Sequence, residues 1–134
     1  MANYVIFSID NVHDVHTLAQ FLHHLDMKRA MQKLKGKPVL CIGSYKGQME
    51  QSFILLRDDF DLVVRGSQWI KEQESILHVE DGMYGVVYGA LEYLASGTTE
   101  HIGTLKEVDQ REAVCHAGWT YRPDLNIYWI TEGL

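Results

Sequence analysis

The sequence predicts a single α+β domain in which one antiparallel sheet carries both helices on the same face. Three observations predict it. Apolar residues alternate in several short runs, they recur with a helical period in two longer ones, and the runs follow the order βαβ, βαβ, then further strands. At 134 residues the chain fits one domain, taken as residues 1–134. Its 46% apolar content is enough for a core that folds without disulfide or metal staples.

Tyr4 to Ile9 alternates and is rich in β-formers, so it reads as the first strand. Asp10-Asn11 offers capping chemistry for a helix from His13 to Leu34, with an apolar stripe through Val15, Leu18, Leu22 and Leu25. Gly36 and Pro38 end it. Val39 to Ser44 reads as the second strand and Ser52 to Arg57 as the third, with a polar turn between them. Asp58-Asp59 caps a second helix that packs through Phe60, Leu62, Val63, Trp69 and Ile70 and is weakened by Gly66. Ser75 to Val79 and Met83 to Tyr88 are strands flanking the turn signal Asp81-Gly82. Residues 89–96 fit either strand or helix, and His101 to Val108 reads as extended. Trp119 to Tyr121 and Ile127 to Ile130 flank Pro123-Asp124-Leu125-Asn126 as a closing hairpin.

Two such units pack as a split βαβ, ferredoxin-like sandwich with extra C-terminal strands. Its helices cover one face of the sheet. The other face, with Tyr4, Ile6, Phe53 and Leu55 or their alternates, is left apolar and open, which predicts an oligomer.

The formal net charge of −6 removes the basic footprint of a generic nucleic-acid binder. The mild cluster Lys28, Arg29, Lys33, Lys35 and Lys37 reads as a solvated helix end. Cys41 and Cys115 form no CxxC pair, as expected of reduced thiols. The N-terminal run lacks the basic and apolar regions of a signal peptide, and no stretch reaches membrane-spanning length. The expected location is the cytoplasm, with neither membrane nor nucleic acid as partner.

Chemistry is expected at the polar turn Gly43-Ser44-Tyr45-Lys46-Gly47-Gln48-Met49-Glu50. Gly43 and Gly47 permit close backbone approach. Ser44, Tyr45, Gln48, Glu50, Gln51 and Ser52 supply donors, acceptors, an aromatic face and an anion. The plain alternative is a hairpin loop that is polar because it is wet. His13 and His16 share a helical face, but no HExxH or Cys cluster completes a ligand set, so no metal and no cofactor is expected. Cys115-His116 is adjacent in sequence, which points the two side chains apart in extended backbone. Glu72, Glu74, Glu80 and Asp81 read as solvating or capping carboxylates. Trp119, Tyr121, Tyr128 and Trp129 read as packing, since an acidic domain makes a poor base-stacking platform.

Several short segments, in order, resemble one family. They are Tyr4-Val5-Ile6-Phe7-Ser8, Gly43-Ser44-Tyr45 leading to Glu50, and Trp69 with Glu72-Gln73 before Ser75-Ile76-Leu77. Gly85-Val86-Val87-Tyr88, Ile102 to Val108 and the aromatic hairpin ending in Trp129 complete the set. The chain resembles the bacteriophage S-adenosylmethionine (SAM) lyases, also called SAM hydrolases. The resemblance implies cleavage of SAM to 5′-methylthioadenosine and homoserine lactone, and a ferredoxin-like homotrimer of the PII type with sites between subunits. It also implies a role in depleting the methyl donor used by host restriction and methylation. On it, Glu50 holds the cationic end of SAM and Tyr45 positions the tail. Ser44, Gln51, Ser52 and backbone near Gly43 and Gly47 contact ribose or tail. Alternatives are a hydrolase giving homoserine, a non-catalytic PII-like adenine-nucleotide binder, and a phage inhibitor of a host protein.

Overall fold

The computed structural model describes residues 3–82 and 86–131. The first half runs β1 (Asn3–Phe7), α1 (Val15–Ala30), β2 (Val39–Tyr45), β3 (Gln48–Leu56), α2 (Arg57–Val63) and β4 (Ser75–Asp81). The second half runs β5 (Val87–Tyr93), β6 (Thr99–Val108), α3 (Gln110–Ala113), β7 (Gly118–Arg122) and β8 (Ile127–Thr131). Residues 83–85, the start of the expected fifth strand, lie outside the described residues.

Local chemistry sets the first crossover. Asp14, not Asp10, caps α1, its carboxylate accepting from the backbone N–H groups of His16 and Thr17. Asp10 instead accepts from the Glu72 N–H and the Gln73 carboxamide, tying the end of β1 to the loop before β4. Phe21 and Leu25 are buried, with Leu18 and Leu22 packed beside them, so residues 18, 21, 22 and 25 form one stripe. Lys28 and Arg29 occupy the last turn, where cations complement the dipole. The helix stops short of Leu34, since Gln32 turns left-handed at φ 57°. The second helix is cut early in the same way, by Gly66 at φ 73°.

The ferredoxin-like sandwich expected from the sequence is overturned. Among the described residues, eight antiparallel strands close into a barrel in the order β1-β3-β2-β7-β8-β6-β5-β4. In an open sheet β2 and β4 would be edges with unpaired backbone groups. Here β7 pairs with β2, Ile42 facing Tyr121, and β5 pairs with β4, Leu77 facing Leu91. The strands that read as surplus are what closes the sheet. A register shift at Gly89/Ala90 interrupts the β5–β6 ladder, the kind of irregularity that bends a strand. Closure requires a close approach there, since a Cβ on Gly89 would lie 2.8 Å from Leu105 Cδ1.

The wall of the barrel separates two cores by strand alternation. Val5, Phe7, Phe53 and Leu55 point outward beneath α1 and α2, where Phe7, Phe21, Phe53 and Phe60 meet edge to face or tilted. Ile6, Cys41, Ile54 and Val79 point inward with Tyr4, Leu77, Leu105 and Trp129. Phe53 and Leu55 are thus on the helix side, while Tyr4 and Ile6 line the lumen. The apolar face that motivated an oligomer is covered by the chain's own strands. No helix among the described residues is long and apolar enough to cross a membrane.

Candidate active site

Only Lys46 and Gly47 form the turn between β2 and β3. Their φ values of 50° and 81° are those of a two-residue hairpin turn whose twist matches its strands. The rest of the expected polar loop is strand, so each residue's side is dictated by parity. Tyr45, Gly43 and Cys41 fall on one side of β2, and Glu50, Ser52 and Ile54 on the same side of β3. Because Cys41 and Ile54 belong to the lumen cluster, Glu50, Ser52 and Tyr45 face the lumen or its rim. Ser44 and Gln51 have the opposite parity. Gln51 uses its carboxamide on the carbonyls of Cys41 and Ser52, at 2.9 and 3.2 Å. Gly47 stands at the hairpin tip and lines neither of the hollows described next.

Two hollows meet at this hairpin. One, of about 290 Å³, is a mouth of the barrel and is lined by Ser8, Gly43, Tyr45, Glu50, Ser52, Thr120 and Thr131 among others. The second, of about 530 Å³, adds His13, Gln48 and Met49 and shares Gly43, Ser44, Tyr45, Glu50 and Ser52 with the first. Gly43 faces Glu50 on one side and Thr120 on the other. Lacking a side chain, it leaves the space between that carboxylate and that hydroxyl open, and a Cβ there would come 2.9 Å from Ser52 Oγ.

The mouth is acidic and hydroxylic. Glu50 and Glu74 line it, and no Lys, Arg or His does among the described residues. The Glu50 carboxylate has no hydrogen-bond or ion-pair partner among the described residues. Ser8 donates to the Gln51 carbonyl at 2.8 Å, and Ser52 makes a long contact of 3.5 Å to the Glu50 carbonyl. Thr131 is 4% exposed, yet its Oγ1 has no partner among the described residues. Tyr45 is 52% exposed, with Lys46 Nζ 5.2 Å from its ring centroid. Deeper in, burial pushes the Cys41 thiol up to about 12, so it is a neutral wall and not a nucleophile.

The opposite mouth is a hollow of about 730 Å³ containing Tyr4, Lys37, Asp81, Glu107 and Arg122. Its guanidinium is already engaged: Arg122 bonds Asp124 at 2.6 Å and lies 5.2 Å from the Trp129 ring centroid. Leu105 and Trp129 line both ends and form the partition between them. Elsewhere, His78 is buried against Glu92 at 2.8 Å, and His24 meets the Val63 carbonyl at 3.1 Å. No three His, Cys, Asp or Glu groups converge as metal ligands would among the described residues.

Thr120 and Thr131 carry no signal in the sequence that marks them for a site, and His13 stands out there only as a potential metal ligand. The alternation of Ile127, Trp129 and Thr131 against Tyr128 and Ile130 was readable, but not what lay on either side of it.

A closed antiparallel barrel with a polar mouth over an apolar partition is a small-molecule binding architecture. A family model described as the S-adenosylmethionine lyase family matches residues 10–132. The chain belongs to the S-adenosylmethionine lyase family. That span holds Tyr45, Glu50, Thr120 and Thr131 and omits β1. No curated protein matches the chain.

Proposed function

We propose that this chain splits SAM into 5′-methylthioadenosine and L-homoserine lactone at the Glu50 mouth. The observation that carries the reading, on top of family membership, is the unpartnered Glu50 carboxylate in a hollow lined by no cationic side chain among the described residues. SAM brings two positive charges, a sulfonium and an α-ammonium, and one carboxylate. An anionic rim attracts it.

The chemistry lies in the substrate. One oxygen of its carboxylate attacks the γ-carbon, a C–O bond forms, and the C–S bond breaks with its electron pair leaving on sulfur. The products are a neutral thioether and a lactone that keeps its ammonium, so no proton need move. The sulfonium is a leaving group that requires no metal or redox cofactor. The protein folds the methionine tail into the ring-closing geometry and excludes water from the carboxylate. Glu50 takes the ammonium, and Tyr45, at the rim, orders the tail by ring or hydroxyl. Ser44, Ser52 and the backbone at Gly43 remain candidates for tail and ribose contacts. Consumption of SAM would starve methyl-donor-dependent restriction and modification.

The second reading, hydrolysis to homoserine, draws on the solvent exposure of Tyr45 beside Glu50. Incubation with SAM in oxygen-18 water, sampled over time, tests both. Methylthioadenosine with initially unlabelled lactone is expected, homoserine labelled from the first time point would move the assignment to a hydrolase, and absence of methylthioadenosine would end it.

A further inference from the structure

Among the described residues Thr131 Oγ1 has no hydrogen-bond partner although the residue is 4% exposed, and a buried polar group in that state costs stability unless something else satisfies it. On the neighbouring strand Thr120, 8% exposed, lines the Glu50 mouth. It faces Glu50 across the open space at Gly43. An acceptor therefore confronts the Thr120 hydroxyl over a gap kept free by a glycine, and Thr131 lines the same hollow from the next strand.

We propose that Thr131 and Thr120 bind the α-carboxylate of the substrate while Glu50 takes the α-ammonium across the Gly43 gap. The inference rests on the SAM-cleaving reading of this mouth. An α-amino acid carries its cation and anion on one carbon, so a site that reads both needs an acceptor and donors facing each other at short range. The hydroxyls also suit the reaction. The carboxylate is the nucleophile, and its charge disappears as the lactone closes. A lysine or arginine would hold that charge most tightly before reaction and oppose the attack, since only differential binding lowers the barrier. A neutral hydroxyl orients an oxygen with a weaker bond that is easily stretched. The lining of this mouth matches that requirement, with hydroxyls present and no cationic side chain among the described residues.

Thr131→Val removes the hydroxyl and keeps the shape. The expected result is an unchanged or raised Tm, because an unsatisfied buried group is lost, with kcat/KM for SAM reduced about tenfold to a hundredfold. Thr131→Ser, which restores the hydroxyl, recovers most of that loss. Calorimetric binding of decarboxylated SAM, which lacks the contacted group, is expected to be equal in the wild-type chain and Thr131→Val. Wild-type cleavage rates in Thr131→Val would overturn the proposal. So would a loss of decarboxylated SAM binding as large as the loss for SAM. Should Thr131→Val fail to fold, Thr120→Val takes the same two measurements, and each outcome counts as it does for Thr131. Should the wild-type chain bind SAM without forming methylthioadenosine, the lyase reading fails, and the affinities for SAM and decarboxylated SAM still decide the carboxylate contact. A chain that binds neither overturns both.

Discussion

The two mouths of the barrel share a floor, Leu105 and Trp129, and differ in the charges that line them, with Lys37 and Arg122 beside carboxylates at the wider one and carboxylates without a cation among the described residues at the narrower. At the wider mouth Arg122 is bonded to Asp124 and stacked near Trp129, so its charge is spent within the protein. At the narrower mouth Glu50 has no partner among the described residues and Thr131 has an idle hydroxyl. A buried polar group without a partner, as at Thr131, is expensive in a folded chain, whereas the exposed Glu50 carboxylate is met by solvent and open to a cationic ligand.

Four substitutions sharpen or break this contrast. The largest effect is expected from Glu50→Gln, which keeps shape and removes charge. Methylthioadenosine formation, followed by chromatography, should fall about a hundredfold or more, as for loss of a charged contact in a site. Full activity would put the chemistry elsewhere. Next is Gly43→Ala, whose Cβ would meet Ser52 Oγ at 2.9 Å and narrow the gap before Glu50. KM for SAM should rise about tenfold, since a small misplacement in a site is costly, with near-native circular dichroism.

The third concerns acid, which must not be confused with titration of the mouth. Outside the barrel, Arg65 forms a two-pronged bridge to Glu92, and with His78 it holds the Glu92 carboxyl down at about 2 from its ordinary 4.5. A depressed carboxyl stabilises the fold above its unfolded value, and that contribution fades as pH falls from about 4.5 toward 2. Glu92→Gln should cost about 1–2 kcal/mol at neutral pH after allowance for solvent screening. The gap between variant and wild type should close near pH 2, as read by urea titration across pH. A gap constant with pH would remove the charge argument. The smallest effect is expected from Arg122→Met at the wider mouth: turnover within about twofold and a stability loss of about 1 kcal/mol or less, measured by thermal melting. Loss of turnover there comparable to Glu50→Gln would erase the distinction between the mouths.

Much of the local structure was legible in the sequence. The stripe through Leu18, Leu22 and Leu25 marked α1, and the aromatic alternation marked β7 and β8. Which aspartate caps α1 was not, because Asp10 and Asp14 both precede it and only the contact from Asp10 to the loop before β4 separates their roles. The four residues of α3 are too short for a periodic signal. Closure was hidden for a different reason. Nothing local in Val39–Tyr45 announces that Tyr121 will lie beside Ile42, so the later strands read as additions to an edge. The hairpin residues of the candidate site were visible as a polar cluster. Their partners Thr120 and Thr131 were not, since a threonine in a strand declares nothing until its face is known.

The two-residue turn at Lys46 and Gly47 has a consequence for how this protein can change. It sets the phase of β3, and phase decides which of Glu50 and Gln51 looks into the barrel. Lengthening the turn by one residue, with the β2 and β3 ladder moving to match, would turn the anion out toward solvent and the carboxamide in. Lengthening it by two would preserve the phase. The site therefore imposes an even-number rule on insertions at the hairpin tip, a constraint on descent carried by a segment with no side chain in the mouth itself.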